Sequence, residues 1–340
     1  MRHGLGTIGY STLWLVACGA EGGGDSPGTS SDTGESVGMT VGSAATTAAT
    51  TTATSSPTGD PTTTTADDSS TATSSVDATA ADTSSGPGEC VAATLLWSED
   101  FETLDYSRWT SMTYDAGWNG GLCHDNEFSD QESVSPGHSH RSEITCASDM
   151  SVHRGYGGLQ FDGDAVVPAY TNVGEGIEAP GGIVNTFWSR LDAPYAFADG
   201  RWFSFWTVND SCDYSSDVLT LGLENTQNLL VPAHVLSTGG TVEFDPAAPA
   251  FPMGEFVRIT IYVNYYDGVM HVWQNGASVV HATFTRPGTD LCQWHWGAYA
   301  SGDNDDLVLW EDDNSLWRLD QPWDDFTVEP WLGETIAACG

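Results

Sequence analysis

The run Phe256-Val257-Arg258-Ile259-Thr260-Ile261-Tyr262-Val263-Asn264-Tyr265 decides the fold class. Val257, Ile259, Ile261, Val263 and Tyr265 fall on one face of an extended chain, and Phe256, Arg258, Thr260, Tyr262 and Asn264 on the other. That is the period-two pattern of a strand. Asp267-Gly268 then predicts a tight turn into Val269 to Gln274, and Asn275-Gly276 a second turn into Ala277 to Thr285. Both dipeptides accept the positive φ that two-residue hairpin turns demand. From Glu89 onward, short runs rich in Val, Ile, Thr and aromatic residues recur roughly every ten residues between Gly, Pro, Asn and Asp. No convincing helical period interrupts them. The expectation is an all-β domain built as a two-sheet antiparallel β-sandwich.

Downstream of this meander, Cys292-Gln293-Trp294-His295-Trp296-Gly297-Ala298-Tyr299 reads as another strand. Trp294, Trp296 and Ala298 point one way; Gln293, His295, Gly297 and Tyr299 point the other. Gly297, set between an imidazole and a phenol, leaves a gap where a ligand could approach the backbone. Upstream, Arg201 to Val208 places Trp202, Trp206 and Val208 on one side and Phe203 and Phe205 on the other, and Ile183 to Arg190 contains Phe187-Trp188. Strands aromatic on both faces belong within packed layers or beneath a sugar ring.

The first quarter of the 340 residues has a different composition. Residues 1–18 read as a short export signal ending in Leu15-Val16-Ala17-Cys18, which resembles the lipobox of bacterial lipoproteins, where the cysteine is lipidated. Gly19, in place of Asp, resembles the pattern of outer-membrane retention. Residues 19–88 are almost wholly Thr, Ser, Ala, Gly, Asp and Pro without an aromatic residue, and are expected to be a disordered tether open to glycosylation. Such a coil would hold the domain, residues 89–340, on the order of 5 nm from its anchor. No later run reaches the ~18 apolar residues of a spanning helix. The expected address is the cell surface, as an outer-membrane lipoprotein or extracellular protein, with the lipid as sole membrane attachment.

Apart from Cys18, six cysteines are present, Cys90, Cys123, Cys146, Cys212, Cys292 and Cys339, with no C-x-x-C pair. Disulfides fit better than zinc. Cys90 and Cys339 bracket the domain, and Cys123 with Cys146 and Cys212 with Cys292 are the natural remainder, although sequence alone does not fix the connectivity.

The chain carries 47 acidic residues against 9 basic ones, every one of them Arg. Nine acids precede Glu89, which leaves the domain 38 acids against eight arginines. This excludes nucleic acid as a natural partner. A polyanion is disfavoured too, unless arginines are focused into one cleft. Calcium, which takes carboxylate oxygens, is accommodated.

Five segments together resemble a family. They are Trp97-Ser98-Glu99-Asp100-Phe101-Glu102, His140-Arg141-Ser142-Glu143-Ile144, the meander, Trp296-Gly297-Ala298-Tyr299 and Trp323-Asp324-Asp325-Phe326-Thr327-Val328. In that order they resemble the concanavalin A-like jelly rolls, and within these the alginate-lyase and heparin-lyase-I type polysaccharide lyases. The resemblance implies two curved sheets, a concave polysaccharide-binding face and a catalytic set. Arg141-Ser142-Glu143 resembles the R-S-E motif whose Arg faces the cleft; the same alternation allows Arg141 and Glu143 to form a structural ion pair. The closing lyase motif Tyr-x-Lys-x-Gly-x-Tyr, aligned on Gly297 and Tyr299, has Gln293 at the first Tyr and His295 at the Lys. The alginate-type catalytic Tyr is thus replaced, whereas the final Tyr of the heparin-lyase pattern remains.

β-Elimination of a uronate needs a group that neutralises the carboxylate, a base for the adjacent proton and an acid for the leaving oxygen. Arg141 and Gln293 suit the first role, His295 is a candidate base and Tyr299 a candidate base or acid. Glu143, Tyr262 and Arg258 are expected to help bind substrate. The Gln-x-His motif of the alginate type is absent, with Asn225, Gln227 and His234 near its place but out of pattern. Glycoside hydrolysis would need paired carboxylates, and the laminarinase string Glu-x-Asp-x-x-Glu is missing; Glu127, Asp130 and Glu132 come nearest.

His138 and His140 share a face and could begin a metal site, or form a hydrogen-bonded pair near Arg141. Asp303-Asn304-Asp305-Asp306 lacks the Gly and Glu of a calcium loop. A structural calcium between Glu102 and the terminal-strand Asp325 resembles the arrangement in related sugar-binding domains. No organic cofactor is expected, and the domain is expected to be a monomer. Three functions follow: a surface lipoprotein recognising polysaccharide, a polysaccharide lyase, or a structural or adhesive protein whose Gln293, His295 and Tyr299 are covered by loops.

Overall fold

A computed structural model describes residues 90–116, 124–145, 152–169, 175–192, 202–210, 212, 218–224, 227–233, 240–285, 290–301 and 306–333. Cys18, the tether, the expected pairings Cys90–Cys339 and Cys123–Cys146, Asn225, His234 and Asp303 to Asp305 fall outside the described residues.

The strands are β1 (Cys90–Glu99), β2 (Thr110–Ala116), β3 (His124–Ser129), β4 (Ser139–Ile144), β5 (Val152–Asp162), β6 (Ala165–Pro168), β7 (Ile177–Glu178), β8 (Ile183–Leu191) and β9 (Phe203–Asn209). They continue as β10 (Val218–Leu223), β11 (Leu230–Ala233), β12 (Thr241–Phe244), β13 (Val257–Asn264), β14 (Val269–Gln274) and β15 (Ala277–Thr283). The last are β16 (Asp290–Leu291), β17 (Gln293–Ser301), β18 (Leu307–Leu319) and β19 (Trp331–Gly333). Among the described residues the helical element is one 3-10 turn, Tyr106–Arg108, and no helix is long and apolar enough to cross a membrane.

Two sheets form the sandwich. A ten-stranded sheet runs β12-β15-β14-β13-β8-β18-β1-β19, with β4 added on β18 and β3 on β4. A seven-stranded sheet runs β11-β10-β9-β17-β5-β2, with β6 on β5. All described pairings are antiparallel except β1 with β19. The expected meander is β13-β14-β15, with Val263 opposite Met270 and His271 opposite His281. Asn275 and Gly276 both take positive φ, 49° and 81°, at its second turn.

Alternation fills the space between the sheets. Ile259, Ile261 and Val263 enter from one side, and Leu159, Phe161, Trp294, Trp296 and Ala298 from the other. Burying each such large side chain stabilises the fold by roughly 1.5–3 kcal/mol. Tryptophans join the layers: Trp97 of β1 lies 5.0 Å from Trp296 of β17, and Trp109 meets Trp296 edge-on at 5.5 Å. In β9 the strict alternation fails, because Phe205 and Trp206 are consecutive and both buried in the core. A register shift against β10 at that level gives β9 an extra residue, and bulged neighbours turn the same way.

The segment Trp323 to Val328 is not a strand. It crosses the outer face of the ten-stranded sheet, where the Trp323 N–H donates to the Tyr262 hydroxyl at 3.2 Å. Phe326 stacks 4.8 Å from His271 and 4.9 Å from His281. Glu329 pairs with Arg258 and accepts from Thr260. Pro322 and Pro330 bracket this strap, and neither can donate to a sheet ladder.

Candidate functional site

The outer face of the seven-stranded sheet carries rows of polar side chains. Gln293 of β17 stands between Gln160 of β5 and Asn209 of β9. His295 stands between Gly158 and Thr207, and Thr207 is followed by Thr220 of β10. Tyr299 lies opposite Arg154 of β5. Their neighbours along each strand, such as Leu159, Val208 and Trp294, face the core, so period two puts the polar set outside.

Along this floor the structure separates covered groups from available ones. Gln293 is fully buried and its amide donates to the carbonyl of Cys212. That carbonyl is held there by the Cys212–Cys292 disulfide, whose Cα atoms are 5.1 Å apart. His295 is 2% exposed and stacks on Tyr156 at 4.7 Å. Burial, with a smaller push from the Arg154 charge, lowers its pKa to about 3, so the imidazole is neutral. Tyr299, Arg154 and Trp202 are half-buried and form the accessible end. Arg154 donates to the Tyr299 hydroxyl at 3.2 Å and lies 4.8 Å over its ring, while Trp202 meets the ring edge-on at 4.5 Å.

The gap expected beside Gly297 faces the wrong way for a ligand. Gly297 has φ 103°, and between Trp296 and Tyr299 strand β17 holds one residue more than β9. A side-chain carbon at 297 would lie 2.8 Å from Ser142 Oγ, which reaches across from the opposite sheet. The space is therefore an inter-sheet contact, filled from inside.

The remaining expected residues sit elsewhere. Arg141 and Glu143 lie on the outer face of the ten-stranded sheet and form the ion pair, at 2.9 Å, with Glu127 adding a second contact at 3.4 Å. They are on the opposite side of the sandwich from His295 and Tyr299. Arg258 shares that outer face and pairs with Glu329. Tyr262 is fully buried beneath the strap, donating to the Gly181 carbonyl at 3.2 Å; burial raises its pKa. Substrate could not reach it without displacing Trp323.

Glu102 and Asp325 are engaged separately. Glu102 accepts from the His138 N–H at 3.0 Å, whereas Asp325, in the strap and not on a terminal strand, accepts from the Thr327 N–H and hydroxyl at 3.1 and 2.6 Å. Among the described residues no three of His, Cys, Asp and Glu are grouped to hold a metal ion. His138 turns to Glu102 at 3.6 Å and His140 to Asn126, so the two imidazoles do not converge.

Arg154, Tyr156, Gln160, Thr207, Asn209 and Trp202 complete the floor, and of these only Trp202 had stood out in the sequence. The signal was His153-Arg154-Gly155-Tyr156-Gly157-Gly158, where three glycines dilute the alternation that marks a strand.

No protein-family model matches the chain, and no curated protein matches it. Solved structures similar to it include cellulose induced protein Cip1, 15% identical with a TM-score of 0.43, covering 65% of this chain and 96% of that one. An endo-β-1,4-glucuronan lyase from the fungus Trichoderma reesei is 10% identical with a TM-score of 0.40, covering 63% and 94%. The alginate lyase AlgAT5 of polysaccharide lyase family 7 is 11% identical with a TM-score of 0.38, covering 57% and 82%.

Proposed function

We propose that the domain recognises polysaccharide on the outer face of its seven-stranded sheet. The observation that carries this is the Arg154–Tyr299–Trp202 cluster at the accessible end of a continuous polar floor. Sugars offer an apolar ring face and a fringe of hydroxyls. Aromatic rings next to a fixed hydrogen-bonding fork suit both. In this proposal the Cys18 lipobox and the tether present that face at a cell surface.

A second reading, β-elimination, is favoured by the Arg154 hydrogen bond onto the Tyr299 hydroxyl. Held in place by that contact, Tyr299 would take the proton beside a uronate carboxylate. The C–H electron pair would form the new double bond, the glycosidic C–O bond would break, and the leaving oxygen would take back the proton that Tyr299 had removed. His295 lies under Tyr156 and would support the tyrosines without reaching the sugar.

Incubation with a panel of neutral and uronate-containing polysaccharides tests both readings. Retention without product supports recognition alone. Ultraviolet-absorbing unsaturated product that disappears in Tyr299→Phe supports elimination. Absence of both across the panel would overturn the proposal.

A further inference from the structure

Beneath the floor, between the sheets, lies a polar group that glycan contact does not use. Glu311 of β18 is fully buried, and among the described residues neither carboxyl oxygen makes a hydrogen bond of ordinary geometry. His140 of β4 and Ser189 of β8 stand directly opposite it on the two flanking strands. From the other sheet, the polar group that faces the carboxyl is the backbone N–H of Gly297. Ser142, two residues beyond His140 on the same face of β4, abuts Gly297 as well. His140 meets the side-chain oxygen of Asn126, whose amide donates to the Tyr156 carbonyl at 2.7 Å. Gly297 and Tyr156 are directly paired in the seven-stranded sheet, so both are approached from inside at one level.

A carboxyl is an expensive choice at such a position. Burial pushes the Glu311 pKa well above the usual carboxylate range, which keeps it a neutral acid. An apolar side chain would fill the core at lower desolvation cost. What the acid offers in addition is a polar atom directed at β17 where its pairing with β9 is irregular. The departure matters outside. Counting from the Trp296–Trp206 pair, a regular β17 would bring Tyr299 opposite Phe203; the extra residue brings it opposite Ser204.

We infer that Glu311, assisted by Ser142, is a positioning residue that acts through the Gly297 bulge to seat Tyr299 against Arg154 and Trp202; its importance for binding rests on the proposed function of that face. The test uses the full chain with 13C-labelled tyrosine rings, the Tyr299 signal being assigned by its loss in Tyr299→Phe. Glu311→Gln, which keeps size and polar atoms, is expected to leave the Tyr299 signal and glycan retention unchanged. Glu311→Leu is expected to move the signal and weaken retention about five-fold. Should Glu311→Leu fail to fold, Ser142→Val, which adds bulk against Gly297, decides: it is expected to move the same signal. A folded Glu311→Leu or Ser142→Val protein with the Tyr299 signal unmoved would overturn the inference. If wild type binds no polysaccharide, the reading of the face fails, while the tyrosine signal still decides the role of Glu311.

Discussion

Arg154 Nη2 donates to the Tyr299 hydroxyl at 3.2 Å, and the same guanidinium lies 4.8 Å over the Tyr299 ring. One side chain thus holds both the polar tip and the face of the phenol, and Trp202 closes on its edge. Such a cation over a ring contributes roughly 0.5–1 kcal/mol at a partly exposed site. The ring is fixed before any ligand arrives, which lowers the ordering cost of binding.

Tyr299 should therefore act in two separable ways. Tyr299→Phe keeps the stacking surface and loses the hydroxyl, and is expected to weaken polysaccharide retention by roughly three-fold. Tyr299→Ala loses both and is expected to weaken it by at least about ten-fold, or ~1.4 kcal/mol. Affinity electrophoresis in gels containing the retained polysaccharide measures both effects.

Gly297→Ala should be destabilising whatever the ligand. Its φ of 103° is unfavourable for an L side chain, and the added carbon would meet Ser142 Oγ at 2.8 Å and the Gly155 carbonyl at 3.0 Å. The expected cost is about 1–3 kcal/mol, lowering the Tm by several degrees. Calorimetry checks it; an unchanged Tm would mean that the bulge is not built as described.

Buried histidines and buried acids pull stability in opposite directions with pH. Burial lowers His140, His271 and His295 to about 3. Their contribution is present above the unfolded pKa near 6.5 and is lost as pH falls toward 3, at up to ~1.4 kcal/mol per pH unit for each. Burial raises Asp312 to about 6 and Glu311 well above 4.5. Their contribution is present at low pH and is lost as pH rises through those folded values. Glu311→Gln removes one contribution of the second kind while keeping a side-chain oxygen toward the Gly297 N–H. It should match wild type near pH 4 and be increasingly more stable as pH rises to 8, as chemical denaturation at a series of pH values would show. A difference that does not grow with pH would contradict a neutral Glu311.

The Cys212–Cys292 bond closes a sequence separation of 80 residues and holds the carbonyl that accepts from Gln293. Chain entropy gives such a loop about 4.5 kcal/mol. Replacing both cysteines with serine should lower the Tm markedly and increase hydrogen exchange at Gln293 and His295, which mass spectrometry can follow by segment.

The meander was legible because its information is local: Asn275-Gly276 specifies a turn and the alternation on either side specifies the faces. Alternation also assigned Gln293, His295 and Tyr299 to one side of β17. It could not say what covers that side, so the burial of Gln293 and His295, and of Tyr262 under the strap, was out of reach. Nor does a motif reveal its sheet, and Arg141 and Tyr299 proved to lie on opposite faces of the sandwich. The Gly297 bulge arises from pairing with β9, some ninety positions earlier in the chain. Arg154 was obscured by its own strand, where Gly155, Gly157 and Gly158 leave little pattern to read.

The most direct test compares the two outer faces in one experiment. Wild type, Trp202→Ala, Tyr299→Ala and Arg141→Gln would be run against the same polysaccharide panel by affinity electrophoresis, with folding verified by calorimetry. Retention by at least one polysaccharide, lost in Trp202→Ala and Tyr299→Ala but kept in Arg141→Gln, is the predicted result. Retention lost in Arg141→Gln and kept in both aromatic variants would move recognition to the ten-stranded face and contradict the account.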